Sequence, residues 1–393
     1  MDAPLKDGGG VMERDQAVKL MLELLRRMVE RNGSDLFITA GFPPAIKVDG
    51  EIQPQADRVL TPEQSALLTR AIMNDRQVRD FDATKECQFA IAPHGIGRFR
   101  TSAFVQQGWT GCVVRMINSS VPTVDQLELP AVLKDVAMTK RGLVIVVGAT
   151  GSGKSTTLAA MLDHRNENTQ GHIVTIEDPI EFVHSHKSCV ITQREVGVDT
   201  DSWATALKNT LRQAPDVILI GEIRDRETME FAIQFAETGH LVLCTLHANN
   251  ANQALDRVIN LFPQERREQV LMDLSLNLRA LISQRLVPRE GADGRIAATE
   301  IMLHSPLIAD LVFKGDIAQI KEIMARSNRL GMKTFDQSLF ELYENYKINY
   351  EDALRNSDST NELRLKIKLD SRREEKLSHE QAYSLRIMDD AKS

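Results

Sequence analysis

The chain runs to 393 residues, enough for two or three domains with separate cores. Apolar residues make up 42% and charged residues 26%, as in ordinary globular proteins, and a net charge of −7 argues against a dedicated nucleic-acid binder, which carries a basic surplus. Four cysteines, Cys87, Cys112, Cys189 and Cys244, include no C-x-x-C pair, which excludes zinc-ligand spacing and suits a reducing cytosol.

The start, MDAPLKDGGG, has no basic segment leading into an apolar one, so no secretory signal is expected. No apolar run reaches the roughly 18 residues of a membrane span, so a membrane role is expected only through a partner. Residues 11–31 predict an amphipathic helix: Val18, Leu22, Leu25 and Val29 recur at three or four residues, and Gly33 supplies a stop. The stretches DLFITAGFPPAIKVDGEI and RFRTSAFVQQGWTGCVVRMI are rich in β-branched and aromatic residues and broken by Gly and Pro. They predict antiparallel strands in a small α+β domain, bounded at 1–117. Two prolines and several polar turn formers mark 118–130 as a linker.

From Gly142 the pattern changes. The runs Leu143–Val147, Ile173–Ile176, Val217–Ile220 and Leu241–Leu246 alternate with helical stretches, which predicts an α/β domain with a parallel sheet and crossover helices. Past residue 262 the chain reads mainly helical, so the domain is bounded at 131–350 and a charged extension at 351–393. Within the extension, LRLKIKLD alternates Leu363, Leu365, Ile367 and Leu369 with Arg364, Lys366 and Lys368. That period of two predicts a strand, either an edge strand of the preceding domain or a segment that docks on a partner.

The strongest motif is GATGSGKS at 148–155, which fits G-x-x-x-x-G-K-[ST] at every fixed position, follows LVIVV and opens TTLAAMLDH. Gly148, Ala149, Thr150, Gly151, Ser152 and Gly153 would wrap phosphates with backbone N–H groups at a helix N-terminus that favours anions. Lys154 would neutralise the β- and γ-phosphates. Ser155, followed by Thr156, would bring a hydroxyl to Mg²⁺, so ATP with Mg²⁺ is the expected ligand.

Ligands of open parallel sheets bind beyond the carboxyl ends of the strands. EDPIE places Glu177, Asp178 and Glu181 there, GEIRD places Glu222 and Asp225, and LHA places His247, with His240 just before its strand. Glu222 is the expected catalytic carboxylate, orienting a water in line with the γ-phosphorus and accepting its proton. Gly221 stands where many P-loop proteins carry Asp, and the plain alternative for Glu222 is a solvated strand-end charge. Glu177 and Asp178 would hold Mg²⁺ through water, or else form the turn before Pro179. His247 reads either as a γ-phosphate sensor or as a satisfied loop histidine.

Taken in order, GATGSGKST, TIEDPIEF, DVILIGEIRD and TGHLVLCTLHANN resemble the Walker A, Asp box, Walker B and His box of the secretion-ATPase superfamily, which drives type IV pili and type II secretion. SDLFITAGFPPAIKVDGEI and GRFRTSAFVQQG are similar to the PAS-like N-terminal domain of the pilus retraction ATPases, so the likeness spans residues 15–350. Assembly and type II secretion ATPases of the superfamily carry a long extra N-terminal domain and a tetracysteine zinc module. This sequence opens almost directly on the PAS-like stretch and has no C-x-x-C, so the retraction branch, the PilT/PilU family, is the expected one. Three features resemble its accessory, PilU-like type, which depends on PilT: SPLIADLVFKGD at 305–316 in place of an AIRNLIRE-like motif, Arg212-Gln213-Ala214 in place of acidic residues, and the charged extension.

The resemblance implies a RecA-like P-loop core and a cytoplasmic homohexamer, peripheral at the inner membrane, that hydrolyses ATP to power pilus retraction. A main retraction ATPase or an ATP-holding docking module are the alternatives. It also implies phosphate-contacting arginines among Arg98, Arg100 and Arg115. Arg98 and Arg100 share one strand face, and a solvated face is their plain alternative. The implied partners are a PilT-type paralogous ATPase and a PilC-like platform protein, with no nucleic acid and no membrane insertion.

Overall fold

The computed structural model describes residues 13–117 and 120–373. Val11 and Met12 of the expected first helix, Asn118 and Ser119 of the linker, and the chain from Glu374 onward lie outside the described residues. By internal contacts the chain divides into two compact units. The first takes in Met1–Thr123, Leu158–Phe235 and His240–Val242; the second takes in Val124–Thr157, Ala236–Gly239 and Leu243–Ser393.

The first unit opens with α1 (Arg14–Glu30), whose buried stripe is Ala17, Met21, Leu24, Leu25 and Met28. Of the expected line only Leu25 is at its centre; Val18, Leu22 and Val29 are half-buried at the rim, because the apolar arc is wider than one line of contacts. The helix stops through Asn32, at φ 52°, rather than at Gly33. Strands β1 (Asp35–Ile38), β2 (Ala45–Val48) and β3 (Glu51–Pro54) follow, then helices α2 (Pro62–Ala71) and α3 (Asp75–Thr84), then β4 (Glu86–Ile91), β5 (Arg98–Gln106) and β6 (Trp109–Ile117). These strands form a six-stranded sheet in the order β3-β2-β1-β6-β5-β4, antiparallel throughout. Gln107 and Gly108, both at positive φ, make the two-residue turn that matches the twist of the β5–β6 hairpin. Leu36, Ile38, Ile46, Phe81, Phe89, Phe99 and the α1 stripe share one buried cluster.

Residues 120–130 carry no helix or strand. After them come α4 (Val132–Ala137), β7 (Gly142–Val147), α5 (Lys154–Asn168), β8 (Gly171–Glu177), β9 (Cys189–Glu195), α6 (Trp203–Thr210), β10 (Val217–Ile220), α7 (Arg226–Glu237), β11 (Leu241–Leu246) and α8 (Ala251–Asn260). Then follow α9 (Arg267–Asn277), β12 (Leu278–Pro288), β13 (Arg295–Leu303), α10 (Pro306–Lys314), α11 (Ile320–Arg326), α12 (Phe335–Glu344), α13 (Tyr350–Arg355) and α14 (Thr360–Asp370). The second sheet has seven strands in the order β13-β12-β7-β11-β10-β8-β9. Within the first unit β10 and β9 each run parallel to β8; within the second, β12 runs parallel to β7 and antiparallel to β13. The four apolar runs of the sequence are β7, β8, β10 and β11, and β7, β10 and β11 are buried at every residue. Burial on both faces is why they read as unbroken hydrophobic runs.

Two expectations fail. The helical reading past residue 262 missed the β12–β13 hairpin, nine cross-strand pairs from Ala280↔Leu303 to Pro288↔Arg295. Its polar residues Ser283, Gln284 and Arg285 interrupt the apolar run, so β12 lacks the uniform signature of its neighbours. LRLKIKLD is helical, not extended: it lies in α14, which buries Leu363 and Ile367, one helical turn apart, and leaves Leu365 and Leu369 at 56% and 71% exposure. The buried pair joins Phe335, Leu339, Tyr343, Ile348 and Ala353 in one cluster, so this stretch is part of the second unit's core. No helix among the described residues is long and apolar enough to cross a membrane.

Candidate active site

In the second unit, β7 runs straight into the loop 148–153 and then α5. The loop folds back on itself so tightly that glycine is needed at both ends. A Cβ on Gly148 would lie 2.4 Å from Ser152 Oγ and 2.6 Å from the Gln284 carbonyl, and one on Gly153, at φ 88°, would lie 2.7 Å from Gln284 Nε2. Lys154 Nζ donates to the carbonyls of Gly148 at 2.8 Å and Ala149 at 2.9 Å, so the ammonium lies across the mouth of the loop. Ala149, Thr150, Gly151 and Ser155 are exposed and Thr156 is half-buried; Ser152 is buried beneath them. A cleft of about 620 Å³ opens beside Gly148 and Ala149, lined also by His247, Asn249, Gln253 and Arg257. Exposed loop backbone, a lysine and a first-turn hydroxyl on a rigid strand–helix junction fit a polyphosphate with its Mg²⁺.

The first unit carries the carboxylates. Glu222 follows β10 and accepts from Arg224 Nε at 2.8 Å; the same guanidinium lies 3.7 Å from Asp178. Gly221 is pressed against the end of β8: its N–H donates to the Ile176 carbonyl at 2.8 Å, and a Cβ there would sit 3.1 Å from Glu177 Cα. A side chain at 221 would therefore need the end of β8 to give by a few tenths of an ångström. Glu177 accepts from the Thr175 hydroxyl at 2.6 Å and from Gln193 Nε2 at 3.2 Å. Burial of its carboxyl pushes its pKa up to about 7, against the pull of those hydrogen bonds. Asp225 is spent on structure, because it accepts the Thr228 N–H at 2.8 Å and caps α7. Asp178 and Glu181 are exposed.

Of the three arginines, Arg98 and Arg100 flank the buried Phe99 on β5 and are half-buried on the opposite face. Their charges favour the ionised form of Glu195, at the end of β9, which is only 4% exposed and whose pKa burial pushes up. Arg115, the cross-strand neighbour of Arg100, is exposed and ion-paired with Asp35 at 2.7 Å. The cysteines are free thiols, and burial pushes the Cys112 pKa up to about 12 and that of Cys244 higher than usual, so neither offers a thiolate.

The profile of the family described as "Type II/IV secretion system protein" matches residues 15–349. The chain belongs to that family. It is 57% identical over 370 residues to the type IV pilus ATPase PilU of Pseudomonas aeruginosa, covering 94% of this chain and 97% of that one. The type IV pilus retraction ATPase PilT of the same organism is 45% identical over 84% of this chain and 96% of its own. Among solved structures, the pilus retraction motor PilT with bound ADP superposes with a TM-score of 0.82 at 38% identity, covering 88% of this chain and 98% of that one.

The sequence motifs name the glycines, lysine and carboxylates of the candidate site but not the residues that hold them in place. Gln284 on β12 bonds the loop, and Glu300 on β13 accepts the Ala251 N–H at 2.7 Å and the Ser283 hydroxyl at 3.2 Å, fixing the turn after His247. The findable signal was PREGADGRI, a glycine-bearing turn between the apolar stretches LISQRLVP and RIAATEIML.

Proposed function

We propose that this chain is an ATP-hydrolysing motor that powers type IV pilus retraction and works as a homohexamer, in the accessory, PilT-dependent role. The glycine loop at 148–153 carries the reading: it is folded onto Gln284, with Lys154 across its mouth, in a chain 57% identical to a pilus ATPase. The greater identity to PilU than to PilT, 57% against 45%, favours the accessory role. A RecA-like core at 131–350, a PAS-like domain at 1–117, a linker at 118–130 and an extension at 351–393 are the domains of this reading. Its setting is the cytoplasmic face of the inner membrane, beside a PilC-like platform protein and a PilT-type paralogue.

Chemically, the N–H groups of 149–156 and the helix N-terminus take the phosphates, and Lys154 leaves the Gly148 and Ala149 carbonyls for the β- and γ-oxygens. The Ser155 hydroxyl, with Glu177 and Asp178 through water, would hold the Mg²⁺ that accompanies the nucleotide, and the ion would supply charge neutralisation at the phosphates. Glu222 exchanges Arg224 for a water, orients it and accepts its proton. That exchange is cheap because Arg224 is 58% exposed. His247 registers the γ-phosphate. Arg98 and Arg100 supply charge to the phosphates in the assembled ring; Arg115, tied to Asp35, supports their strand. Substituting Glu222→Ala should leave ATP binding near wild type and lower turnover by roughly 10²-fold or more. Unchanged turnover would move the role to another carboxylate.

A further inference from the structure

We propose that Gln284 is a positioning residue for nucleotide binding: its buried side-chain amide holds the phosphate loop in its binding shape. This rests on the reading of 148–155 as the phosphate cradle. Gln284 is 3% exposed. Its Nε2 donates to the Ser152 carbonyl at 2.9 Å and its Oε1 accepts from the Thr157 hydroxyl at 2.7 Å. A carbonyl oxygen only accepts, so the Ser152 contact requires the amide nitrogen on that side and leaves the oxygen for Thr157. Both polar ends of the side chain are thus committed, one to the loop and one to the first turn of α5.

The consequence follows from peptide geometry. The Ser152 carbonyl and the Gly153 N–H belong to one planar trans unit and point in opposite directions. Pinning the carbonyl toward β12 therefore turns the Gly153 N–H away from β12, to the open side of the loop. The two glycines that a Cβ would block are blocked by this same residue, Gly148 by the Gln284 carbonyl and Gly153 by its Nε2. One residue of β12 thereby fixes the start of the loop, its last peptide and the helix that follows. β12 is hydrogen-bonded in parallel to β7, with Ser283 opposite Val147, so the residue that holds the loop is in register with the strand that delivers it.

The test is nucleotide affinity of the full-length protein with ATP and with ADP, together with kcat, KM and melting temperature. Gln284→Met keeps length and apolar bulk but makes neither bond; Gln284→Glu keeps an acceptor for Thr157 and loses the donor to Ser152. Each should weaken both nucleotides by roughly tenfold or more, with the loss carried by KM rather than kcat. Thr157→Val should lose less on its own and add little to Gln284→Met, because the two share one bond. Wild-type affinity in a folded Gln284→Met protein would overturn the proposal, as would equal losses in kcat and KM with a lowered melting temperature. If Gln284→Met does not fold, wild-type affinity in both Gln284→Glu and Thr157→Val overturns it instead. Lys154→Ala in the same assay separates the two levels: if it binds ATP normally the cradle reading fails, and if it alone loses binding only the role of Gln284 fails.

Discussion

At position 221 a side chain would meet Glu177 Cα at 3.1 Å, a tight approach between the ends of β10 and β8. The candidate phosphate-loop residues stand out in the sequence because phosphate wrapping dictates residue type at fixed spacing. Gln284, Glu300 and Glu195 do not, since their roles depend on which strands the fold pairs. Glu300 gives a residue-scale prediction. It is 2% exposed, and burial raises its pKa against the Ala251 N–H. A carboxyl whose folded pKa is raised above its unfolded value contributes stability that is lost as pH rises through the folded pKa. Glu300→Gln keeps an acceptor for Ala251 and Ser283 without the charge. Relative to wild type it should therefore gain melting temperature as pH rises through and above the ordinary carboxylate range, and match it in acid. A gain confined to acid would show the sign to be wrong.

Among the elements, the runs buried on both faces and the antiparallel strands of the first sheet were read correctly, whereas β9, β12 and β13 were missed. CVITQRE, which became β9, exposes Val190 at 59% and ends in polar residues that cap the sheet edge, so it carried neither pattern. The extension misled for the opposite reason, since a period of two in LRLKIKLD coexists with an i, i+4 pair. Helix and strand make different demands on it. If α14 stands, Leu363→Ala and Ile367→Ala should each cost about 2–5 kcal/mol in urea unfolding, while Leu365→Ala and Leu369→Ala should stay within about 0.5 kcal/mol. Four similar losses would favour a strand. Arg373 closes this element, bonding the carbonyls of Tyr343 and Ile348 and pairing with Glu290. Deleting 361–393 should therefore harm the second unit's core, against the docking alternative and in line with a segment folded onto the preceding domain, though as a helix rather than a strand.

At the scale of the molecule, the family match and the identity to pilus ATPases carry the proposed motor. The α/β class and the ATPase family were readable from four strand-end motifs; the proposed ring rests on resemblance, because contacts between copies leave no pattern in one chain. What the molecule must do on any version of this account is hydrolyse ATP with its 148–155 loop. The most direct measurement is phosphate release by the purified protein and by Lys154→Ala under saturating MgATP. The account predicts steady turnover in the wild type and none above background in the variant. Turnover near wild type in Lys154→Ala would contradict it.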